Sequence, residues 1–133
     1  MVGDSAAVNW TRLLWLLQVL LALFFLGAGY GHLSLPIAEL AKSAPWAADL
    51  PLALLRFIGV AEMAGAVGLV LPGVTRIAPG LSPLAAAGLA LIMVLAVPFH
   101  LWRREPFLIQ LTVAAVAAFV AWGRGVRAPI RSS

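Results

Sequence analysis

The sequence predicts an all-α membrane protein, a bundle of four transmembrane helices with a short amphipathic interfacial helix in the first connection. The 133 residues are 63% hydrophobic and only 11% charged, whereas a soluble domain is typically ~25% charged. Four apolar segments meet or approach the length of ~20 residues that a helix needs to cross the hydrocarbon core. None of these segments alternates with a period of two, which favours helices over strands.

Composition also excludes several classes of function. Because the chain has no cysteine, it cannot by itself form a disulfide framework, a thiolate metal site or an iron–sulfur cluster. The net charge of +4 comes from basic residues that are scattered along the chain, without the basic stripe of a nucleic-acid-binding surface. We therefore expect no nucleic-acid partner and a single integral membrane domain over residues 1–133.

The four predicted spans are bounded by apolar length and by proline. They cover about residues 13–31, 52–71, 84–100 and 107–123. The first is longer than the apolar region of a secretory signal peptide, so we expect it to remain in the protein. The third is expected to begin near Leu84, because Pro79, Gly80 and Pro83 precede it. The fourth follows Pro106 and is short, so we expect it to stand upright or to be extended by its flanks.

The three connections differ in character. In the first, Ile37 and Leu40 recur at helical spacing between Pro36 and Pro45, residues that can start and stop a helix. We predict an amphipathic helix that lies on the membrane surface or caps the mouth of the bundle, with Trp46 at the interface. The second connection, residues 72–83, is predicted to be a turn rich in proline and glycine, and the third to be tight.

Basic residues are distributed unevenly between the two sides of the predicted bundle. One side carries Lys42, Arg103 and Arg104, with Arg56 near the start of a span. The side with the two termini carries more: Arg12, Arg76, Arg124, Arg127 and Arg131. Cytoplasmic loops carry an excess of lysine and arginine, so we expect both termini in the cytoplasm and the first connection outside.

Four segments together resemble the DoxX-like family of small four-helix membrane proteins. They are residues 25–33, 56–69, 81–89 leading through Met93 to His100, and 121–124. The resemblance implies a multi-pass protein of the bacterial inner membrane with cytoplasmic termini. Relatives are associated with quinone-linked oxidoreductase complexes, and distant eukaryotic relatives act in receptor assembly. Family members often have lysine where His32 stands in this sequence.

Glu62 is the most informative side chain, since it lies at the middle of the second span. An acidic group at the centre of a membrane helix costs ~2.5–3.5 kcal/mol on insertion scales. We expect it to face the bundle interior, either protonated or beside a cationic or hydrogen-bonding partner. Gly59 and Ala66 share its face and allow another helix to approach closely. Glu62 is then either a polar clasp between helices or a proton or ligand site.

An up-down bundle brings further polar side chains to the end at which Arg56 lies. His32 ends the first span, with Tyr30 close to it, and His100 ends the third. We predict that Glu62, His100, His32, Arg56 and Tyr30 surround one outward-facing ligand-binding pocket. Two alternatives remain open: Arg56 extends to the outer headgroups, and each histidine is a solvated residue of a helix end.

These observations leave three functions open. The chain is an accessory protein that binds a hydrophobic ligand (a quinone or lipid) or a membrane oxidoreductase partner, an assembly factor with a structural Glu62, or a small proton-coupled transporter. We expect no catalytic residues, no metal site and no intrinsic cofactor beyond a bound quinone or lipid. Small-residue spacings such as Gly27 and Gly31 indicate helix packing within the monomer or in a homo-oligomer.

Overall fold

Four of the five α-helices in the described part of the chain are long and apolar enough to cross a membrane. The computed structural model describes residues 8–133. The α-helices are α1 (Trp10–Ser34), α2 (Ile37–Ser43), α3 (Leu52–Thr75), α4 (Leu81–Trp102) and α5 (Leu108–Trp122). A 3-10 helix (Pro45–Asp49) follows α2, and a π-helical turn (Gly123–Arg127) extends α5. The predicted all-α membrane bundle is thereby confirmed.

Proline accounts for two differences between the predicted and observed helix boundaries. α4 begins at Leu81, three residues earlier than expected, because Pro83 occupies its first turn, where a backbone N–H is not needed. α3 continues through Pro72, which was expected to open the second connection, and ends at Thr75. Pro72 lies in the last turn of α3, so its missing N–H removes only one hydrogen bond near a helix end.

The outward faces of the long helices require a lipid environment. Only 28–33% of each span is buried within the protein, and the exposed surface includes large apolar side chains such as Leu23, Phe57 and Leu95. Soluble monomers rarely expose contiguous apolar surface on this scale. A hydrocarbon solvent accepts such a surface, and each helix satisfies its own backbone hydrogen bonds there.

Glycine allows α1 and α3 to meet backbone to backbone. A Cβ atom at Gly59 would lie 2.7 Å from the backbone nitrogen of Leu33, and one at Gly29 would lie 2.9 Å from the carbonyl oxygen of Gly59. Packing of Gly27 within the monomer is not observed, because nothing lies within 4 Å of the Cβ position there, and its role in a homo-oligomer stays a prediction. Gly31 makes only ordinary contacts, one of them with Leu40 of α2.

The first connection folds over one end of the bundle. In α2, Leu40 is buried while Glu39 and Lys42 are exposed, as expected for the predicted amphipathic helix. Leu40 and Ala47 pack on Leu55 of α3 and form a small core separate from that of the bundle. We call the end covered in this way the His32 end. The opposite end, where α1 begins and α5 ends, is called the Arg124 end.

The contact between α1 and α3 can be tested by adding a single methyl group. Gly59→Ala is expected to lower the free energy of unfolding by about 1–3 kcal/mol, because rigid backbone atoms leave no space for a Cβ. Gly27→Ala is the matched control and is expected to be neutral or stabilising, by up to about 1 kcal/mol from helix propensity. Unfolding in mixed micelles measures both, and an equal effect of the two substitutions would contradict the packing assigned here.

Candidate functional site

A cavity of about 520 Å³ lies at the His32 end, between the long helices and the 3-10 helix. Most of its wall is apolar, contributed by residues such as Phe24, Ile58, Met93 and Phe99. A few polar side chains interrupt this wall. They are His32 of α1, Glu62 of α3, His100 of α4 and Gln110 of α5, and the indole of Trp46 lies beside them.

Glu62 and His32 form a buried pair between α3 and α1. The distance from Oε2 of Glu62 to Nδ1 of His32 is 2.6 Å, and the two residues are 1% and 8% exposed. A carboxylate only accepts hydrogen bonds, so Nδ1 of His32 donates when Glu62 is a carboxylate, and Nε2 of a neutral ring is then an acceptor. Within residues 8–133, neither His32 Nε2 nor Glu62 Oε1 has a hydrogen-bond partner. Both residues line the cavity.

Arg56 supports this pair from outside the cavity wall. Its Nη1 donates to the backbone carbonyl oxygen of His32 at 2.8 Å. His32 lies in the last turn of α1, where carbonyl groups lack intrahelical partners and favour a nearby cation. Arg56 therefore orients the end of α1, and its guanidinium is not among the groups that line the cavity.

His100 and Gln110 form a second polar group on the opposite wall. Nδ1 of His100 lies 3.0 Å from Oε2 of Glu105, and its Nε2 lies 3.2 Å from Nε2 of Gln110. The carboxylate requires a donor, which places the ring hydrogen on Nδ1 and makes Nε2 an acceptor for the amide of Gln110. The amide oxygen of Gln110 is then buried without a hydrogen-bond partner in the described part of the chain.

Trp46 contacts both histidine rings. Its ring centroid lies 5.1 Å from that of His32 and 5.8 Å from that of His100, and both pairs meet edge to face. The half-buried indole of Trp46 lines the cavity, and its position at the membrane interface stays a prediction. The direction of the Trp46 side chain depends on how the 3-10 helix folds back over the bundle. The hydrophobic periodicity of the sequence does not indicate this.

Two of the five predicted residues, Tyr30 and Arg56, do not line the cavity, and Tyr30 lies away from the others. Its side chain is exposed, with 60% of its surface accessible, and it does not line the cavity. A helix turns by about 100° per residue, so Tyr30 points away from α3 when its neighbour Gly29 packs against it. Of the predicted set, His32, Glu62 and His100 reach the cavity. Gln110 was not predicted, although a lone amide in an apolar span was a usable signal.

An ion-pair network lies next to the cavity, since Glu105 contacts His100, which lines it. Arg103 donates from Nε to Oε1 of Glu105 at 2.9 Å, and its guanidinium also pairs with Asp49 of the 3-10 helix. This network connects the first connection to the α4–α5 connection. The hydrogen bond from Arg103, with a smaller contribution from His100, holds the pKa of the Glu105 carboxyl below its ordinary value of 4.5.

Among residues 8–133, no three His, Asp or Glu side chains come together as a metal-binding group. The cavity itself suits an apolar molecule with a small number of hydrogen-bonding groups, because its walls are hydrophobic and its polar atoms are few and fixed.

Comparison with known proteins supports the resemblance noted from the sequence. A family model described as the DoxX-like family matches residues 16–123. The match includes most of the first and fourth membrane spans, all of the second and third, and the first connection. No curated protein and no solved structure matches the chain.

The ion-pair network around Glu105 predicts how the thermal stability of the protein changes at low pH. A carboxyl whose pKa is lower in the folded than in the unfolded protein stabilises the fold above the unfolded value, and this stabilisation is lost as the pH falls through the folded value. The melting temperature is therefore expected to fall from about pH 4.5 downward, and less steeply in Glu105→Gln. Glu39→Gln removes an exposed pair with Lys42 and serves as the control. Parallel melting curves for the wild type and Glu105→Gln would contradict the assignment.

Proposed function

The chain belongs to the DoxX-like family, and from that premise we propose that it is a membrane accessory protein that binds a quinone-type or similar lipid molecule in the cavity at the His32 end. The observation that carries this proposal is the buried amide oxygen of Gln110, which has no partner within residues 8–133 and belongs to a residue that lines a mostly apolar cavity. A buried acceptor without a donor costs about 1–3 kcal/mol. A ligand hydroxyl would remove that cost.

The dimensions and walls of the cavity support a ligand of this class. Its volume of about 520 Å³ is within the range of ~300–1,000 Å³ that is usual for small-molecule sites. Several lining residues, including Phe57, Leu95 and Ile109, are more than 60% exposed on the outer surface of the bundle. That surface faces lipid, so an apolar molecule has an entry route from the bilayer.

The hydrogen-bonding groups favour a ligand that carries hydroxyl groups. His32 Nε2 and Gln110 Oε1 are both acceptors in the arrangement described above, and they belong to different walls of the cavity. A quinol has a hydroxyl at each end of its ring and can donate to both. A quinone carbonyl can only accept, so it would require the proton to move to Nε2 of His32 or the amide of Gln110 to rotate. We infer that the reduced form binds more tightly.

The direction of insertion is part of the proposal. Five arginines lie at the Arg124 end, and the basic residues at the His32 end are accompanied by Glu39, Asp49 and Glu105. The excess of basic residues in cytoplasmic loops supports a bacterial inner-membrane orientation with cytoplasmic termini, in which the cavity opens toward the outer side. A membrane oxidoreductase that produces or consumes the quinol is the partner that fits this placement.

A second candidate function is favoured by the contact between His32 and Glu62. The 2.6 Å contact between His32 and Glu62 joins two helices that already meet at Gly29 and Gly59, which is what a structural clasp requires. In that case the chain is an assembly factor whose apolar helix faces bind other membrane proteins. A partner protein that copurifies in stoichiometric amount, with no bound small molecule, is expected for this function.

The ligand proposal can be tested with a substitution that spares the fold. Gln110→Leu removes the buried acceptor and also the hydrogen bond between the amide and Nε2 of His100. Because these two effects oppose each other, we expect the melting temperature of the protein alone to change little. The affinity for a short-chain benzoquinol, measured as a saturable rise in melting temperature in detergent, is expected to fall at least tenfold, which corresponds to about 1.4 kcal/mol. Glu62→Gln is also expected to weaken this rise.

The control is Tyr30→Phe, which removes a hydroxyl at the same end of the bundle but outside the cavity. It is expected to bind the quinol as the wild type does. The proposal is wrong if the wild type shows no saturable shift with either the quinol or the quinone, or if Gln110→Leu and Tyr30→Phe behave alike.

A further inference from the structure

A second cavity, of about 400 Å³, lies at the Arg124 end and is not used by the proposed function. It is formed by the first turns of α1, the last turn of α3 and the segment that follows α5. Arginines from three separate parts of the chain line it: Arg76, Arg124 and Arg131. Thr11, in the first turn of α1, adds a hydroxyl group to the wall.

Arg124 is held rigidly and is only partly satisfied. The residue is 3% exposed, its Nε donates to the side-chain oxygen of Gln18 at 2.5 Å, and its Nη1 donates to the carbonyl oxygen of Ala128 at 3.0 Å. Its guanidinium lies 5.3 Å above the ring of Trp15. The remaining nitrogen, Nη2, is buried with no acceptor among residues 8–133. A buried, charged donor without a partner indicates that an acceptor from outside the described chain completes the site.

No acidic side chain in the described part of the chain compensates the positive charge around this cavity. Of the acidic side chains in residues 8–133, Glu39, Asp49 and Glu105 lie at the His32 end, and Glu62 pairs with His32. The Arg124 end carries five arginines: Arg12, Arg76, Arg124, Arg127 and Arg131. Because a buried cation is stable only when it is paired and hydrogen-bonded, this arrangement calls for an anion.

We propose that this cavity binds a phosphate group. Three arginines that line one cavity match an anion with several acceptor oxygens, such as phosphate, better than a carboxylate, which offers two. Trp10, Trp15 and Trp122 lie at this end of the bundle, and tryptophan is enriched at the depth of the lipid headgroups. The phosphate of a phospholipid headgroup and free phosphate share this chemistry, and the experiment separates them.

The test uses the full chain in maltoside micelles, which contain no phosphate. Two probes are added separately, sodium phosphate and phosphatidylglycerol mixed into the micelles, and the melting temperature is followed to saturation. At least one probe is expected to raise it, with the apparent affinity reduced at least tenfold in the double variant Arg76→Gln/Arg131→Gln. These two side chains lie at the edge of the cavity, whereas Arg124→Gln would also remove the hydrogen bond to Gln18.

The matched control is Arg12→Gln/Arg127→Gln, which removes the same charge from the same end without changing the lining of the cavity. It is expected to keep the affinity of the wild type. A shift with phosphatidylglycerol alone assigns a lipid headgroup, and a shift with sodium phosphate assigns a soluble phosphate. No saturable shift with either probe, or equal losses in the two double variants, would overturn the proposal. Quinol binding at the His32 end is expected to be unchanged in both double variants.

Discussion

The structure depends on pairing a carboxyl group that lies in the hydrocarbon region. Glu62 is almost fully buried near the middle of α3, and His32 of α1 supplies the partner at 2.6 Å. This contact requires the two backbones to approach closely, which Gly29 and Gly59 permit. Once α1 is held there, Arg56 can bind the carbonyl oxygen of His32, and the imidazole forms one wall of the cavity. At the crossing of α1 and α3, close backbone packing and the hydrogen bond of the buried carboxyl group therefore depend on each other.

The two ends of the bundle handle charge in opposite ways. At the His32 end, acidic and basic side chains of the first and third connections pair with one another, and Arg103 joins Asp49 to Glu105. At the Arg124 end, the described side chains are basic without an acidic counterpart, and Arg124 is instead held by neutral groups, among them Gln18 and a backbone carbonyl. Most of the acidic side chains in residues 8–133 are thus paired at the first end, whereas the arginines of the second end have no acidic side chain beside them in the described residues.

The site was partly predictable because a polar side chain inside the membrane costs free energy unless it contacts another polar group. That principle identified Glu62, His32 and His100, all of which line one cavity. It failed for Tyr30, because a tyrosine near a helix end is stable when it faces the lipid. Its polarity therefore does not decide whether it points toward the bundle or toward the membrane. It also missed Trp46 and Gln110. The direction of Trp46 depends on the path of the first connection, and the amide of Gln110 depends on His100 and Glu105 for its partner.

The sequence by itself determined the membrane class, the number and approximate limits of the spans, and the amphipathic helix, because hydrophobic length and proline positions act locally along the chain. It also determined the family, since the matching segments extend over residues 16–123. Only the tertiary structure decided which glycines form the helix crossing, which polar atoms remain without partners, and where the cavities lie. Those features depend on the rotation of each helix about its own axis. A span that is apolar on nearly all sides can present almost any of them to lipid. Its sequence therefore does not specify the rotation, which is fixed only when the helices pack together.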